Sequence, residues 1–226
     1  MNISIFNIKI KDCWKMLQRL NLGISFNSKP PTPESPASFF RKNSYIEIWK
    51  KYYSYGFHHI KLIDNSLLYF TIDLNSSKTW EASYTFLECP YDLQSYTSFI
   101  SDFGYSYDDI GDSLMDDYEE SISNTPIKSS HTPIRYDFHP QQYQHGIHPA
   151  SHFHIGFDNN VRICSAKLIT PVAFTHFIIR QHYPDQWKFY LEDTSNHAII
   201  INEKHALGDI NNSMFLDFDK SELFMS

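Results

Sequence analysis

Two pairs of residues at spacing two stand out within the segment 135–154: Arg135 with Asp137, and His152 with His154. Residues two apart on a β-strand point to the same face. Two short strands can therefore gather a guanidinium, a carboxylate and two imidazoles. If strands over 133–138 and 152–157 pair antiparallel with Asp137 facing His152, then Arg135 faces His154. The four side chains would form a rectangle with Cβ spacings of about 5 Å across the pair, and Tyr136 and Phe153 would point the other way, into a core. A register one residue out of step would send the two sets to opposite faces. The intervening residues form a loop above the site that carries His139, His145 and His148.

Three kinds of chemistry fit this set. The first is phosphodiester cleavage without a metal or other cofactor. One histidine takes a 2′-hydroxyl proton and the other protonates the leaving oxygen. Arg135 stabilises charge on the phosphorane oxygens, and Asp137 orients His152 and fixes its tautomer. The second is a zinc site of the pattern His-x3-His-x-His, built from His148, His152 and His154, with Asp137 as fourth ligand or as partner to a ligand. The segment lacks the further Asp and His of hydrolase motifs built around His-x-His-x-Asp-His, and the Glu that follows the His-x-His of cupins. The third is a histidine-rich hairpin whose imidazoles hydrogen-bond locally in a scaffold or recognition role. Arg162, on the next strand, reads as a surface charge or a second phosphate contact. Cys164 reads as buried and inert. Ser151 and Ser165 lack a nucleophile-elbow context.

The elements that must position these residues are legible from periodicity. The spacing predicts a helix over 7–21, stopped near Gly23, then a proline-rich arm over 27–37. Ser44 caps a second helix running to about Tyr55, with Glu47 completing a capping box and Gly56 ending it. His58–Asp64 and Leu67–Asp73 read as a hairpin turning at Asn65-Ser66. Trp80–Glu88 is a strand closed by Pro90. Helices are expected over 91–103 and, strongly acidic and exposed, over 107–123. Residues 124–131 read as a loop. Strands follow at Pro133–Phe138, His152–Phe157 and Val161–Ser165, the last two joined by a turn at Asp158-Asn159-Asn160. Thr170-Pro171 opens a helix that Pro184 ends. Two further strands are expected over 187–192 and 197–203.

Composition bounds the rest. The 226 residues suit one domain, helical and basic over about 1–56 and sheet-rich over about 57–226. Aromatic residues make up 16%, which favours a strand-rich, aromatic core. Ten Lys/Arg stand against three Asp/Glu over residues 1–61, and nine against 23 over the rest, a division that suggests two surfaces with different partners. The three cysteines are far apart and none lies in a Cys-x-x-Cys motif, so a disulfide framework is not expected. No apolar run reaches membrane-spanning length, and Met1 to Ile10 lacks the order of a signal peptide. A cytoplasmic protein without a membrane partner is the expectation. No glycine-rich phosphate loop is present.

The quoted motifs carry a resemblance. Arg135-Tyr136-Asp137, His148-Pro149-x-x-His152-x-His154, Arg162-Ile163 and the 170–184 stretch resemble a bacterial family known only as a domain of unknown function. More loosely, the Arg-Tyr-Asp and His-x-His pair are similar to toxins of the TumE type. That second resemblance implies an RNA-directed toxin or phage-defence effector with Arg135, Asp137, His152 and His154 as site residues, and an antitoxin or defence subunit as a protein partner. The expected fold is α+β, a largely antiparallel sheet with helices on one face and at both ends. The expected function is a small nuclease acting on RNA. The competing readings are a non-catalytic interaction subunit, docking through its acidic helix, and a zinc-dependent hydrolase.

Overall fold

The computed structural model describes residues 2–33, 40, 42–74, 80–122, 124–158, 161–221 and 224–225. Seven strands run as an antiparallel meander in which every sheet neighbour is also a chain neighbour: β1 (Gly23–Phe26), β2 (Ile60–Leu62), β3 (Leu67–Asp73), β4 (Glu81–Leu87), β5 (Ile134–Phe138), β6 (Ser151–Ile155) and β7 (Val161–Ser165). A minor antiparallel pair follows, β8 (Lys167–Leu168) with β9 (Gly208–Asp209), and β10 (Phe224–Met225) adds to β7 in parallel. The fold is α+β with a largely antiparallel sheet, as the sequence leads one to expect.

Alternation divides the strands into two faces. On one face the cross-strand partners Phe70, Tyr84, Tyr136 and Phe153 form a row of rings across β3–β6. Two helices lie on this face, α1 (Ile3–Arg19) and, later in the chain, Pro171–His182; Pro184–Glu192 and Thr194–His205 pack on the latter. In α1 the buried positions Phe6, Ile10, Cys13 and Leu17 recur at helical spacing. The Pro171–His182 helix is capped by Thr170, whose hydroxyl accepts from the Ala173 amide, and carries Pro171 in its first turn. Its Phe174 meets Phe70, Tyr84 and Phe153.

The second face is only partly covered. The helix Tyr45–Ser54 packs Ile48, Trp49 and Tyr52 against Leu67, Tyr69 and Leu87. Its capping box forms as expected, with Ser44 and Glu47 exchanging hydrogen bonds. The β2–β3 turn also forms where expected: Asn65 takes φ +62°, and the Asp64 carboxylate accepts from the Ser66 amide. Three short helices, Tyr96–Asp102, Tyr107–Ile110 and Met115–Ile122, replace the two expected over 91–103 and 107–123, the acidic run being broken at Gly111, with φ +53°.

Two expectations are corrected. Residues 187–192 and 197–203 are helical, not strands. Pro184 opens a new helix rather than merely ending the previous one, because proline's missing N–H and fixed φ suit the first turn. In the helix Thr194–His205 the β-branched run Ile199–Ile201 mimics a strand, but the Asp193 carboxylate caps the Ser195 amide and starts a helix. Across the compositional change near residue 56, β1 pairs with β2 and α1 packs into the main core. Residues 34–37 of the proline-rich arm and Asn159-Asn160 of the expected turn lie outside the described residues. Among the described residues no helix is long and apolar enough to cross a membrane.

The two core tyrosines at the centre of the ring row differ in one respect. The Tyr84 hydroxyl is buried with no hydrogen-bond partner among the described residues, whereas that of Tyr136 pairs with Ser151 Oγ and accepts from the Ile169 amide. Tyr84→Phe is expected to leave stability unchanged or raise it, while Tyr136→Phe costs about 1–3 kcal/mol by stranding its partners. Urea-unfolding midpoints of the two variants check this.

Candidate functional site

The open part of the second face carries two transverse rows of side chains, each set by the strand register. One runs Tyr69, Thr85, Arg135, His154, Arg162 across β3–β7; the other runs Thr71, Ser83, Asp137, His152, Cys164. Arg135 therefore faces His154 and Asp137 faces His152, with Tyr136 and Phe153 in the core behind them. The structure brings all four sequence-identified residues together in one cleft of about 550 Å³. Its walls are Phe40 and Tyr52 on one side and the 139–148 loop, with His139, Gln142 and His148, on the other. His145 turns away from it, to the ring of Phe218.

Asp137 is the hub. It is almost fully buried and accepts three contacts: Ser83 Oγ at 2.7 Å on Oδ1, and Arg135 Nε at 2.8 Å and His154 Nε2 at 3.3 Å on Oδ2. Asp137 thus engages His154, on the diagonal, and not the directly opposite His152 that sequence reasoning assigns to it. His152 is oriented instead by its own loop, donating from Nδ1 to the Pro149 carbonyl at 3.0 Å. A carbonyl only accepts, so Nδ1 carries the hydrogen and the Nε2 lone pair faces the cleft. His152 Nε2 lies 2.8 Å from His154 Nε2. Asp137, His152 and His154 each present one ligand atom, all within 4.8 Å of one another. His148, the third imidazole of the expected zinc pattern, stands edge-on to His152 with ring centroids 4.9 Å apart, outside that converging set. The Nδ1 atoms of His148 and His154 are buried with no partner among the described residues.

The electrostatics follow from burial. Desolvation pushes the Asp137 carboxyl up, but the hydrogen bond from His154, the Arg135 guanidinium and the Ser83 hydroxyl outweigh it and hold the group well below the usual carboxylate range. Burial, then the neighbouring His154, pushes His152 down to about 3. Burial also lowers His154, against the pull of Asp137. Both imidazoles are neutral at pH 7: His152 offers its Nε2 lone pair, whereas His154 Nε2 carries the hydrogen donated to Asp137 and offers a lone pair there only when that hydrogen is displaced or moves to Nδ1. Arg162 lines the rim, exposed, and pairs with no carboxylate among the described residues. Cys164 is buried, as expected.

Sequence reasoning missed Phe40, Tyr52, Tyr69, Thr71, Ser83 and Thr85. For the last two, the alternation Ala82, Ser83, Tyr84, Thr85, Phe86 signals a polar second face. The aromatic residues come from distant segments and carry no local signal.

A family model described as an uncharacterized conserved protein (DUF2290) matches residues 11–218, a span that includes the whole cleft. Comparison with curated proteins and with solved structures finds no match.

The pKa directions set a sign. For His152 the folded value lies below the unfolded value of about 6.5, so the unfolded chain binds more protons below that pH. Its contribution is complete above about pH 6.5 and is lost as pH falls toward the folded value. Metal-free protein is therefore expected to lose stability between pH 7 and 4, and His152→Gln to flatten part of that loss. For Asp137 the loss begins lower, below about pH 4. Asp137→Asn should cost about 3–5 kcal/mol at pH 7, with the gap from the unsubstituted protein narrowing in acid. Unfolding midpoints measured stepwise in pH check both.

Proposed function

We propose, for this chain that belongs to the DUF2290 family of uncharacterized conserved proteins, that the cleft is the active site of a metal-dependent phosphodiesterase: a nuclease with RNA as its substrate. The observation that carries the reading is the convergence of His152 Nε2, His154 Nε2 and Asp137 Oδ2, at 2.8 and 3.3 Å between neighbours. At bond lengths of about 2.0–2.2 Å to one tetrahedral ion, neighbouring ligand atoms stand about 3.3–3.6 Å apart; the His154–Asp137 pair keeps that spacing, and the two imidazole nitrogens, now at hydrogen-bond distance, would move apart slightly to reach it. Two neutral imidazoles and one carboxylate suit zinc or another divalent first-row ion, and three protein ligands leave coordination positions open for water and substrate.

This departs from the metal-free mechanism expected on the spacing-two pattern. That mechanism needs one histidine charged as an acid at neutral pH, beside a second histidine and Arg135 in a buried setting that disfavours the charge.

A divalent ion held by Asp137, His152 and His154 would supply a Lewis acid and would bring the pKa of water toward neutrality. The chain's own residues do the rest. Ser83 and Arg135 fix the Asp137 carboxylate, and Pro149 fixes His152. Arg135 spends only Nε on Asp137 in the contacts of this cluster, which leaves its terminal amino groups for the non-bridging phosphate oxygens. Arg162, beside His154 on the next strand, meets a neighbouring phosphate. Water adds across the bond: its oxygen bonds to phosphorus, the bond to the leaving sugar oxygen breaks, and that oxygen takes up a proton. The choice of RNA and a role as a cytoplasmic toxin or defence effector, held by an antitoxin-like partner, rest on the sequence resemblance.

Titration of chelator-stripped protein with Zn²⁺ or Mn²⁺ is expected to show one ion per chain by calorimetry. His152→Ala and His154→Ala should weaken binding by at least about 10- to 100-fold and abolish cleavage of a labelled RNA strand. Expression should arrest bacterial growth, and both substitutions should relieve the arrest. Cleavage that survives a chelator, yet is lost in both histidine variants, would return the reading to metal-free acid–base catalysis.

A further inference from the structure

Phosphodiester hydrolysis at the Asp137/His152/His154 cluster needs the ligands and the arginines, but not the other end of the cleft. There the row that holds Arg135 and His154 continues through Thr85 to Tyr69, and the wall is built of rings. Phe40 meets Tyr52 edge-to-face at 5.7 Å, and Tyr52 meets Tyr69 edge-to-face at 5.8 Å. Phe40 is half-buried, with part of its ring open, whereas Tyr52 and Tyr69 are buried. The hydroxyl-bearing Thr71, Ser83 and Thr85 line the floor beside them. From Tyr69 to His154 is three strand spacings, about 14 Å.

A flat ring with hydrogen-bonding edges, tethered to an anion, matches this arrangement. Phe40, the partly exposed ring, offers the stacking face with Tyr52 and Tyr69 packed behind it; the floor offers hydroxyls, and Arg135 marks where the negative charge must lie. The volume is that of a small-molecule site, with room for about one or two nucleotides and none for a base-paired duplex. We propose that Phe40, backed by Tyr52 and Tyr69, forms a base-stacking subsite, so that the substrate is single-stranded nucleic acid cleaved beside an unpaired base. The proposal rests on the phosphodiesterase reading and adds the part of the substrate that is recognised.

The test uses the full chain loaded with Zn²⁺ or Mn²⁺ and four probes: an oligouridine, an oligodeoxythymidine, a strand with abasic positions, and a duplex. The single strands with bases are expected to be cleaved at least roughly 10-fold more efficiently than the abasic strand, the scale of a lost base–aromatic stack, and the duplex not at all. The oligouridine and oligodeoxythymidine arms separate RNA from DNA as the source. Phe40→Ala should raise KM for the base-bearing strands roughly 10-fold with kcat nearly unchanged, and leave the abasic strand unaffected. Phe40→Tyr should restore the original KM. Equal cleavage of abasic and base-bearing strands, or a Phe40→Ala variant of unchanged melting temperature and unchanged KM, overturns the subsite. Should no probe be cleaved, the phosphodiesterase reading fails by itself. Fluorescence anisotropy with the same strands then decides the subsite, which stands if base-bearing strands bind more tightly than abasic ones and Phe40→Ala removes the difference, and falls otherwise.

Discussion

A carboxylate buried on a sheet face is the constraint around which the site is organised. Burying an ionised group without partners is costly enough to force it neutral. Asp137 stays charged because donors reach it from three strands: Ser83 on β4, Arg135 on its own β5 and His154 on β6. A one-residue slip of either neighbour would turn its donor to the core face and leave the carboxylate unpaired. The chemistry of the cleft and the register of the central sheet are therefore a single constraint.

The other face explains why the constraint can be met. The ring row Phe70, Tyr84, Tyr136 and Phe153 lies on the same four strands, in register, and packs under Phe174. Close-packed aromatic side chains fix the strands against which the polar rows are placed. The site is thus built on rigid elements, with a loop only at its rim, a placement that keeps catalytic geometry narrow. The loop still contributes, since Pro149 sets the tautomer of His152.

Much of this was legible because strand geometry has a period of two. Arg135-x-Asp137 and His152-x-His154 announced a shared face, and the pairing of Arg135 with His154 and of Asp137 with His152 followed from a single assumed register. The partner of the carboxylate was not legible. Directly opposite residues are read off the pairing, but a twisted sheet brings diagonal neighbours into reach, and Asp137 bonds diagonally to His154. The helix over Thr194–His205 was hidden for a different reason. Three consecutive isoleucines resemble a strand locally, and only the Asp193 cap and packing on the preceding helices decide otherwise.

By itself the sequence determined the alternation of the strands, the capping of two helices at Ser44 and Thr170, and the set of residue types that share the polar face, because each depends on residues within a few positions of one another. Tertiary structure alone decided which atoms converge. The meander carries Tyr69, Ser83, Asp137 and His154 from four strands to one floor, and the helix after Ser44 brings Tyr52 over it, across 102 residues from His154. Contacts at that separation depend on how the whole sheet twists and packs, and no local spacing encodes them.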